Sequence, residues 1–323
     1  MSFDSVIGQK KAVQLLQSQL RHGQVSHAYM FSGPAGTGKR KLALALAKAL
    51  FCIQKQDDGC GSCDECTKIE SGNHPFFYSV KPDGQSIKID QIRELQSRFS
   101  YKSDERKAAV IEEADRMTVQ AANSLLKFLE EPLSACVIIL IAENGQAVLP
   151  TIRSRVQTIH LLPLSASEME QRLVERGCKQ ELARTAVRLT SGVEAAAELA
   201  EQEWFAEIRK LVIQLAKESQ HRSSEALLTL HKQWTALELQ EHLDHMLDLF
   251  IIWFRDVVQI HSGNEKGLAF ADQLSLLQQH ARKRDPSFWV HCMEHAVEAK
   301  KRLRYNVNPQ LALEQFLIHI QGE

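Results

Sequence analysis

Apolar positions along the chain fall into two patterns that meet near residue 165. In the first half, short unbroken apolar runs alternate with stretches of helical period. Residues 25–32, 108–111 and 137–142 read as buried strands, too short and too uniformly apolar for amphipathic helices. Between them, residues 41–52 form an Ala/Leu-rich helical stretch. Residues 119–131 repeat apolar side chains at helical spacing, with Thr118 placed to cap the start and Pro132 to stop the end. Residues 87–89, after the Asp83-Gly84 turn, read as a further short strand. Asp90 reads as the cap of a helix that buries Ile92, Leu95 and Phe99. Strands alternating with helices predict an α/β fold with a parallel sheet.

The pattern changes at Leu161-Leu162-Pro163-Leu164. Ser165 and Glu168 have the spacing of a capping box, and from there onward only helical periodicity is found, so an all-α half is expected. A boundary within that half is placed at 204–208. Leu243, Met246, Leu247, Phe250 and Phe254 recur at helix spacing and are candidate core. The most apolar stretch, 246–254, is short and contains Asp248. A membrane span needs about 20 apolar residues, and residues 1–10 hold no apolar signal core. The reading is a cytoplasmic protein with no membrane contact.

Length and composition refine this picture. A chain of 323 residues points to two or three domains, and 44% apolar residues suffice for real cores. The formal net charge of −1 lacks the basic excess of a protein that grips nucleic acid alone. Any DNA contact is therefore local or shared with partners. Of seven cysteines, four cluster at 52, 60, 63 and 66. Without an export signal, metal ligation is favoured over disulfides.

The strongest chemical signal is Gly33-Pro34-Ala35-Gly36-Thr37-Gly38-Lys39, set between a strand and a helix. Glycines let backbone N–H groups turn toward phosphate oxygens, and the helix N-terminus adds a favourable dipole. Gly33, Gly36, Thr37, Gly38, Lys39 and Arg40 are the candidate nucleotide-binding residues. Such loops end in Ser or Thr, whose hydroxyl binds magnesium; here that position is Arg40. After the 108–111 strand, Glu112 stands where a magnesium-ordering acid is expected and Glu113 where a water-activating acid is expected. Cys52, Cys60, Cys63 and Cys66 combine two overlapping Cys-x-x-Cys units with one upstream cysteine. They can close a tetrahedral thiolate zinc site with no open position, hence a structural one.

Other features are blander. Arg155, after the Pro150 turn, can form a surface salt bridge or complete a neighbour's phosphate site. His291 and His295 flank Glu294 but lack the His-Glu-x-x-His order, and they read as packing or surface residues, as do His242 and His245. The run Lys300-Lys301-Arg302-Leu303-Arg304 reads as a solvated helix face, with a DNA or partner role as the alternative.

Together these residues resemble the AAA+ clamp-loader subunits of bacterial DNA replication along nearly the whole chain. The resemblance rests on the opening Phe3-Asp4-Ser5-Val6-Ile7-Gly8-Gln9 and on Ser26-His27-Ala28-Tyr29 before the glycine loop. It rests also on the interrupting cysteines and on Leu149-Pro150-Thr151-Ile152-Arg153-Ser154-Arg155. The most specific match is Ala121-Ala122-Asn123-Ser124-Leu125-Leu126-Lys127-Phe128-Leu129-Glu130-Glu131-Pro132. The resemblance implies an AAA+ domain at 1–165 with a zinc module at 52–66, a helical lid at 166–206 and a helical collar at 207–323. It implies a ring with gamma/tau and delta subunits that loads a sliding clamp on primed DNA. The complex belongs to a DNA polymerase holoenzyme, with no polymerase site in this chain. Arg40, Glu112 and Glu194 depart from the motor subunit's Ser/Thr, Asp and lid Arg. They favour a stator with weak ATP/Mg²⁺ binding, in which Arg155 is an arginine finger supplied in trans. A gamma/tau-type ATPase motor and a purely scaffolding zinc-stabilised subunit are the alternatives.

Overall fold

The computed structural model describes residues 2–100, 105–130, 136–220, 224–303, 305 and 307–322. Glu131, Pro132 and Arg304 lie outside the described residues. The chain divides into two compact units, Met1–Leu164 and Ser165–Glu323.

The first unit is built on five parallel strands. In chain order its elements are α1 (Lys10–Arg21), β1 (Ala28–Ser32), α2 (Lys39–Phe51), α3 (Asp64–Ser71), β2 (Phe77–Val80) and α4 (Ile89–Ser100). They continue with β3 (Lys107–Ile111), α5 (Val119–Glu130), β4 (Cys136–Ala142), α6 (Pro150–Arg153) and β5 (Gln157–His160). The sheet order is β2-β3-β4-β1-β5. Tyr29 pairs with Ile139 on one side and Gln157 on the other, and Val110 pairs with Ile139. Every residue of β1, β3 and β4 is buried, as a sheet covered on both faces requires. One face packs a core that includes Leu42, Leu46 and Leu50 of α2; the other packs Ile92, Leu95 and Phe99 of α4 with Leu125 and Leu129 of α5.

Two strands differ from the sequence reading. Residues 87–89 form no strand: Ile87 makes only an isolated bridge to Met117, and Ile89 already opens α4. The strand of this region is β2, whose Phe77–Val80 backbone pairs with Ala108–Ile111. β5 was not anticipated, because only Ile159 of its four residues is fully buried. β1 begins at Ala28, three residues later than the apolar run. At α4, Asp90 stands in the first turn, where a negative charge favours the helix dipole. The capping contact comes instead from Gln91, whose Oε1 accepts the Lys88 N–H at 3.0 Å. Thr118 does cap α5, with Oγ1 3.2 Å from the Ala121 N–H.

The second unit is entirely helical among the described residues. It comprises α7 (Ala166–Glu175), α8 (Gln180–Leu189), α9 (Val193–Ala200), α10 (Glu203–Glu218) and α11 (Glu225–Ala236). These are followed by α12 (Leu239–His261), α13 (Leu274–Lys283), α14 (Pro286–Leu303) and α15 (Pro309–Ile320). The Ser165–Glu168 capping box opens α7. Residues 204–208 lie inside the continuous helix α10. The buried helix α12 carries Leu243, Met246, Leu247, Phe250 and Phe254, all at most 3% exposed. Its Asp256 is fully buried and accepts the Ala269 and Phe270 N–H groups at 2.7 and 2.9 Å, which fixes the turn before α13. Among the described residues, no helix is long and apolar enough to cross a membrane.

Candidate nucleotide and metal sites

The glycine loop joins the carboxyl end of β1, an inner strand, to α2. Open α/β sheets bind ligands outside the carboxyl ends of their strands. Geometry calls for glycine at these loop positions, Gly36 having φ +73. Gly38 has φ +84 as it leads into α2, and a Cβ on Gly33 would collide with the Leu161 carbonyl oxygen. The opening segment borders this loop: Gln9 Nε2 donates to Thr37 O at 3.3 Å and Leu162 O at 2.7 Å, and Val6 packs against Gly38.

Lys39 is 7% exposed and turned onto the loop itself. Its Nζ donates to Gly33 O at 2.5 Å and Pro34 O at 2.7 Å, while Thr37 Oγ1 donates to Pro34 O at 2.9 Å. Burial lowers the Lys39 ammonium below its ordinary value, and nearby Glu143 and Asp115 oppose that shift. A phosphate group here would replace loop carbonyls as the partner of this ammonium.

The acidic half of the site is already compensated. Glu112 Oε1 lies 3.2 Å from Arg40 Nε and 3.6 Å from Lys81 Nζ, and Ser79 Oγ donates to it at 3.5 Å. Two cations thus surround the carboxylate that a magnesium ion would need. Glu113 has left-handed backbone (φ +51, ψ +47) and pairs with Arg116 at 3.0 Å. Three further residues complete this rim and were missed from sequence: Asp115 in the turn that follows β3, and Glu143 and Asn144 directly after β4. Asp115 Oδ2 accepts the Asn144 N–H at 3.1 Å, and Asp115 and Glu143 supply the negative field at Lys39. Polar residues directly after buried strands were the available signal.

The four cysteines converge. Cys52 ends α2, Cys60 lies in the following loop, Cys63 precedes α3 and Cys66 is in its first turn. Their sulfurs all lie within 4.8 Å of one another, and Cys60 and Cys66 are 3.9 Å apart. A tetrahedral site with bonds of about 2.3 Å needs sulfurs roughly 3.8 Å apart, so the cluster is of the size that closes on one ion. Backbone N–H groups of Ser62 and Cys63 point at the Cys60 sulfur, at 3.5 and 3.3 Å, and hold its thiol low, at about 6. Cys60 N–H points at Cys52 Sγ at 3.3 Å. Burial pushes the Cys66 thiol up to about 12. Beneath the loop, the fully buried Lys48 reaches Glu70 at 2.6 Å. Among the described residues this is the one convergence of three or more potential ligands.

Arg155 follows α6, away from its own chain's glycine loop in sequence and bound elsewhere. Nη2 pairs with Glu130 at 2.7 Å and Nη1 donates to Thr151 O at 3.0 Å. Glu194 opens α9 and faces Arg176 at 3.6 Å. The histidines are packed: His242 stacks on Trp204 with centroids 4.0 Å apart, and His295 on His319 at 4.3 Å. In the basic run, Lys300 is paired with Asp248 at 2.6 Å and Arg302 donates to Gln315 at 2.9 Å.

A parallel sheet with this strand order and a glycine loop at its carboxyl edge, followed by an all-helical unit, defines a P-loop protein of the AAA+ class. Comparison with known proteins narrows this. A family profile described as "DNA polymerase III, delta subunit" matches residues 8–165, and one described as "DNA polymerase III, delta subunit, C terminal" matches residues 202–322. The chain is 40% identical over 316 residues to DNA polymerase III subunit delta' of Bacillus subtilis, spanning 97% of this chain and 96% of the relative. It is 30% identical over 319 residues to subunit delta' of Pseudomonas aeruginosa, spanning 94% and 95%. Likeness to the tau subunit of Bacillus subtilis is 34% over 158 residues and reaches only 48% of this chain and 28% of that one. The chain belongs to the DNA polymerase III subunit delta' family.

Proposed function

We propose that this chain is the stator of a bacterial clamp loader and contributes to ATP hydrolysis through a neighbour's site rather than its own. The observation that carries this reading is the Arg40–Glu112 ion pair at 3.2 Å. A guanidinium occupies the side of the loop where a Ser/Thr hydroxyl and an acid would share magnesium, and phosphoryl transfer depends on that ion to neutralise developing charge. Gly33, Gly36, Thr37, Gly38 and Lys39 retain the amides and cation for weak phosphate binding. Glu112 and Glu113, each facing an arginine, support no hydrolytic role, and Glu194 supplies no lid cation.

In this reading α7 to α9 form the lid and the helices beyond residue 207 the collar, the division passing within α10. The collar joins the chain to gamma/tau and delta subunits in a cytoplasmic ring that places a sliding clamp on primed DNA. The cysteine cluster would hold a structural Zn²⁺, which ties the end of α2 to the start of α3 and leaves no open position for chemistry. Arg155 is the trans arginine finger. Its bridge to Glu130 is part-exposed on both sides, and such bridges contribute about 0–1 kcal/mol, so little is lost when the guanidinium turns to a neighbour's phosphate. A purely scaffolding role is the second reading, favoured by that same bridge, which gives Arg155 a partner within its own chain.

The test is nucleotide binding by the isolated chain with and without magnesium. The stator reading expects weak binding, unchanged by magnesium, and negligible turnover. Magnesium-dependent binding with turnover abolished by Lys39→Ala would overturn it in favour of a motor subunit.

A further inference from the structure

The helical unit holds a small cavity, about 40 Å³, that the clamp-loader reading does not use. Among its lining residues are Ser219 and Gln220 at the end of α10, His280 and Lys283 of α13, Arg284, and Trp289 of α14. His280, Trp289 and Ser219 are 1%, 5% and 7% exposed. His280 Nε2, Trp289 Nε1, Gln220 Nε2 and Ser219 Oγ are buried with no hydrogen-bond partner among the described residues. Buried polar groups are normally paired, and leaving one unpaired is costly. Four such groups share the lining of one cavity, and all four can donate to a common acceptor.

Their chemistry has one sign. Trp253 Nε1–H donates to His280 Nδ1 at 3.2 Å, which places the proton of the neutral ring on Nε2. The free groups are therefore an imidazole N–H, an indole N–H, an amide N–H and a hydroxyl. Three of these can only donate. Water needs acceptors for its own hydrogens, and these groups offer one, the Ser219 oxygen. The volume has room for about three water-sized positions, enough to admit a carboxylate group. Lys283 and Arg284, both exposed, line the mouth of the cavity, and Asp285 is the one acid in residues 282–285. No carboxylate partner of Arg282, Lys283 or Arg284 is found among the described residues.

We propose that this cavity is a binding site for a carboxylate group, received by the His280, Trp289, Gln220 and Ser219 donors and attracted by Lys283 and Arg284. A carboxylate accepts up to about four hydrogen bonds, so it can satisfy all four groups at once. The proposal does not depend on the stator reading.

The full chain has four tryptophans, so indole ¹⁵N labelling gives few signals, and Trp289→Phe identifies the one in the cavity. Sodium formate is titrated against sodium chloride at constant ionic strength. The Trp289 indole N–H signal is expected to shift along a saturable curve while that of Trp204 stays in place. The Lys283→Ser/Arg284→Ser variant alters only exposed side chains and should weaken the apparent affinity roughly tenfold. A short acidic peptide with a free C-terminal carboxylate, compared with its amidated form, separates the sources: a shift with formate alone assigns a small free carboxylate, and tighter binding of the free-acid peptide assigns a partner chain. A Trp289 signal that never moves, or that moves linearly with all the others, would overturn the proposal. So would a crystal structure grown in formate that holds only ordered water in the cavity.

Discussion

Arg40 and Glu112 stand 72 positions apart in the chain, yet Nε and Oε1 meet at 3.2 Å beside the glycine loop. The pair couples the first turn of α2 to the end of β3, the two places that would otherwise share a magnesium ion. Because Arg40 is largely exposed, the pair adds little to folding, about 1 kcal/mol or less. Its effect is on what the loop can bind.

Arg40→Ser should therefore leave the unfolding midpoint nearly unchanged and restore a hydroxyl opposite Glu112. Calorimetric titration should show ATP affinity in magnesium rising by roughly tenfold, which corresponds to about 1.4 kcal/mol, with no rise in chelator. Equal affinities under the two conditions would show that the guanidinium is not what keeps magnesium out.

The cysteine module predicts one metal ion per chain. Protein purified without chelator should contain one equivalent of zinc, and Cys63→Ser or Cys66→Ser should release it. Thiolate ligation couples binding to local folding, so residues 52–71 should lose amide protection on metal removal while β3 and β4 keep theirs. Metal-free protein with unaltered protection across this segment would remove the structural role.

His280 makes the helical unit sensitive to acid. Burial, aided by Lys283, pushes its imidazole down to about 3, against an ordinary value near 6.5. The folded ring stays neutral while the unfolded ring gains a proton, so stability is full above about pH 6.5 and is lost as pH falls toward 3. The limiting slope is about 1.4 kcal/mol per pH unit. His280→Phe keeps a ring against Trp289 and removes the titration. Denaturant unfolding between pH 6.5 and 4 should show a shallower loss in the variant than in the parent; parallel curves would contradict this.

Much of this molecule is readable along the chain because its central strands are buried on both faces. Continuous apolar runs located β1, β3 and β4 to within a few residues, and the spacing of the cysteines marked the four sulfurs that the fold brings together. β2 escapes a reading by apolar runs because its burial is uneven, with Tyr78 only half-buried against the core and Ser79 exposed. β5 carries one deeply buried residue, too few for a pattern. Arg40 and Glu112 were each singled out, but their contact is a product of the sheet order, which brings β3 within reach of α2. Glu130 as the partner of Arg155 was equally invisible, since it joins the end of α5 to a residue two positions beyond α6.

The stator account rests finally on Arg155 acting outside its own chain. An arginine finger is worth about 10³–10⁵ in rate at the site it serves, and lysine lacks the planar fork that carries this effect. The decisive measurement is the ATPase rate and clamp-loading rate of the reconstituted loader carrying Arg155→Ala or Lys39→Ala in this chain. Arg155→Ala should assemble normally and lower turnover in part, by the share of the one neighbouring site, with clamp loading falling further; Lys39→Ala should leave both rates intact. A loader that hydrolyses ATP and loads clamps at the unmutated rate with Arg155→Ala would contradict the account and leave Arg155 as the surface partner of Glu130.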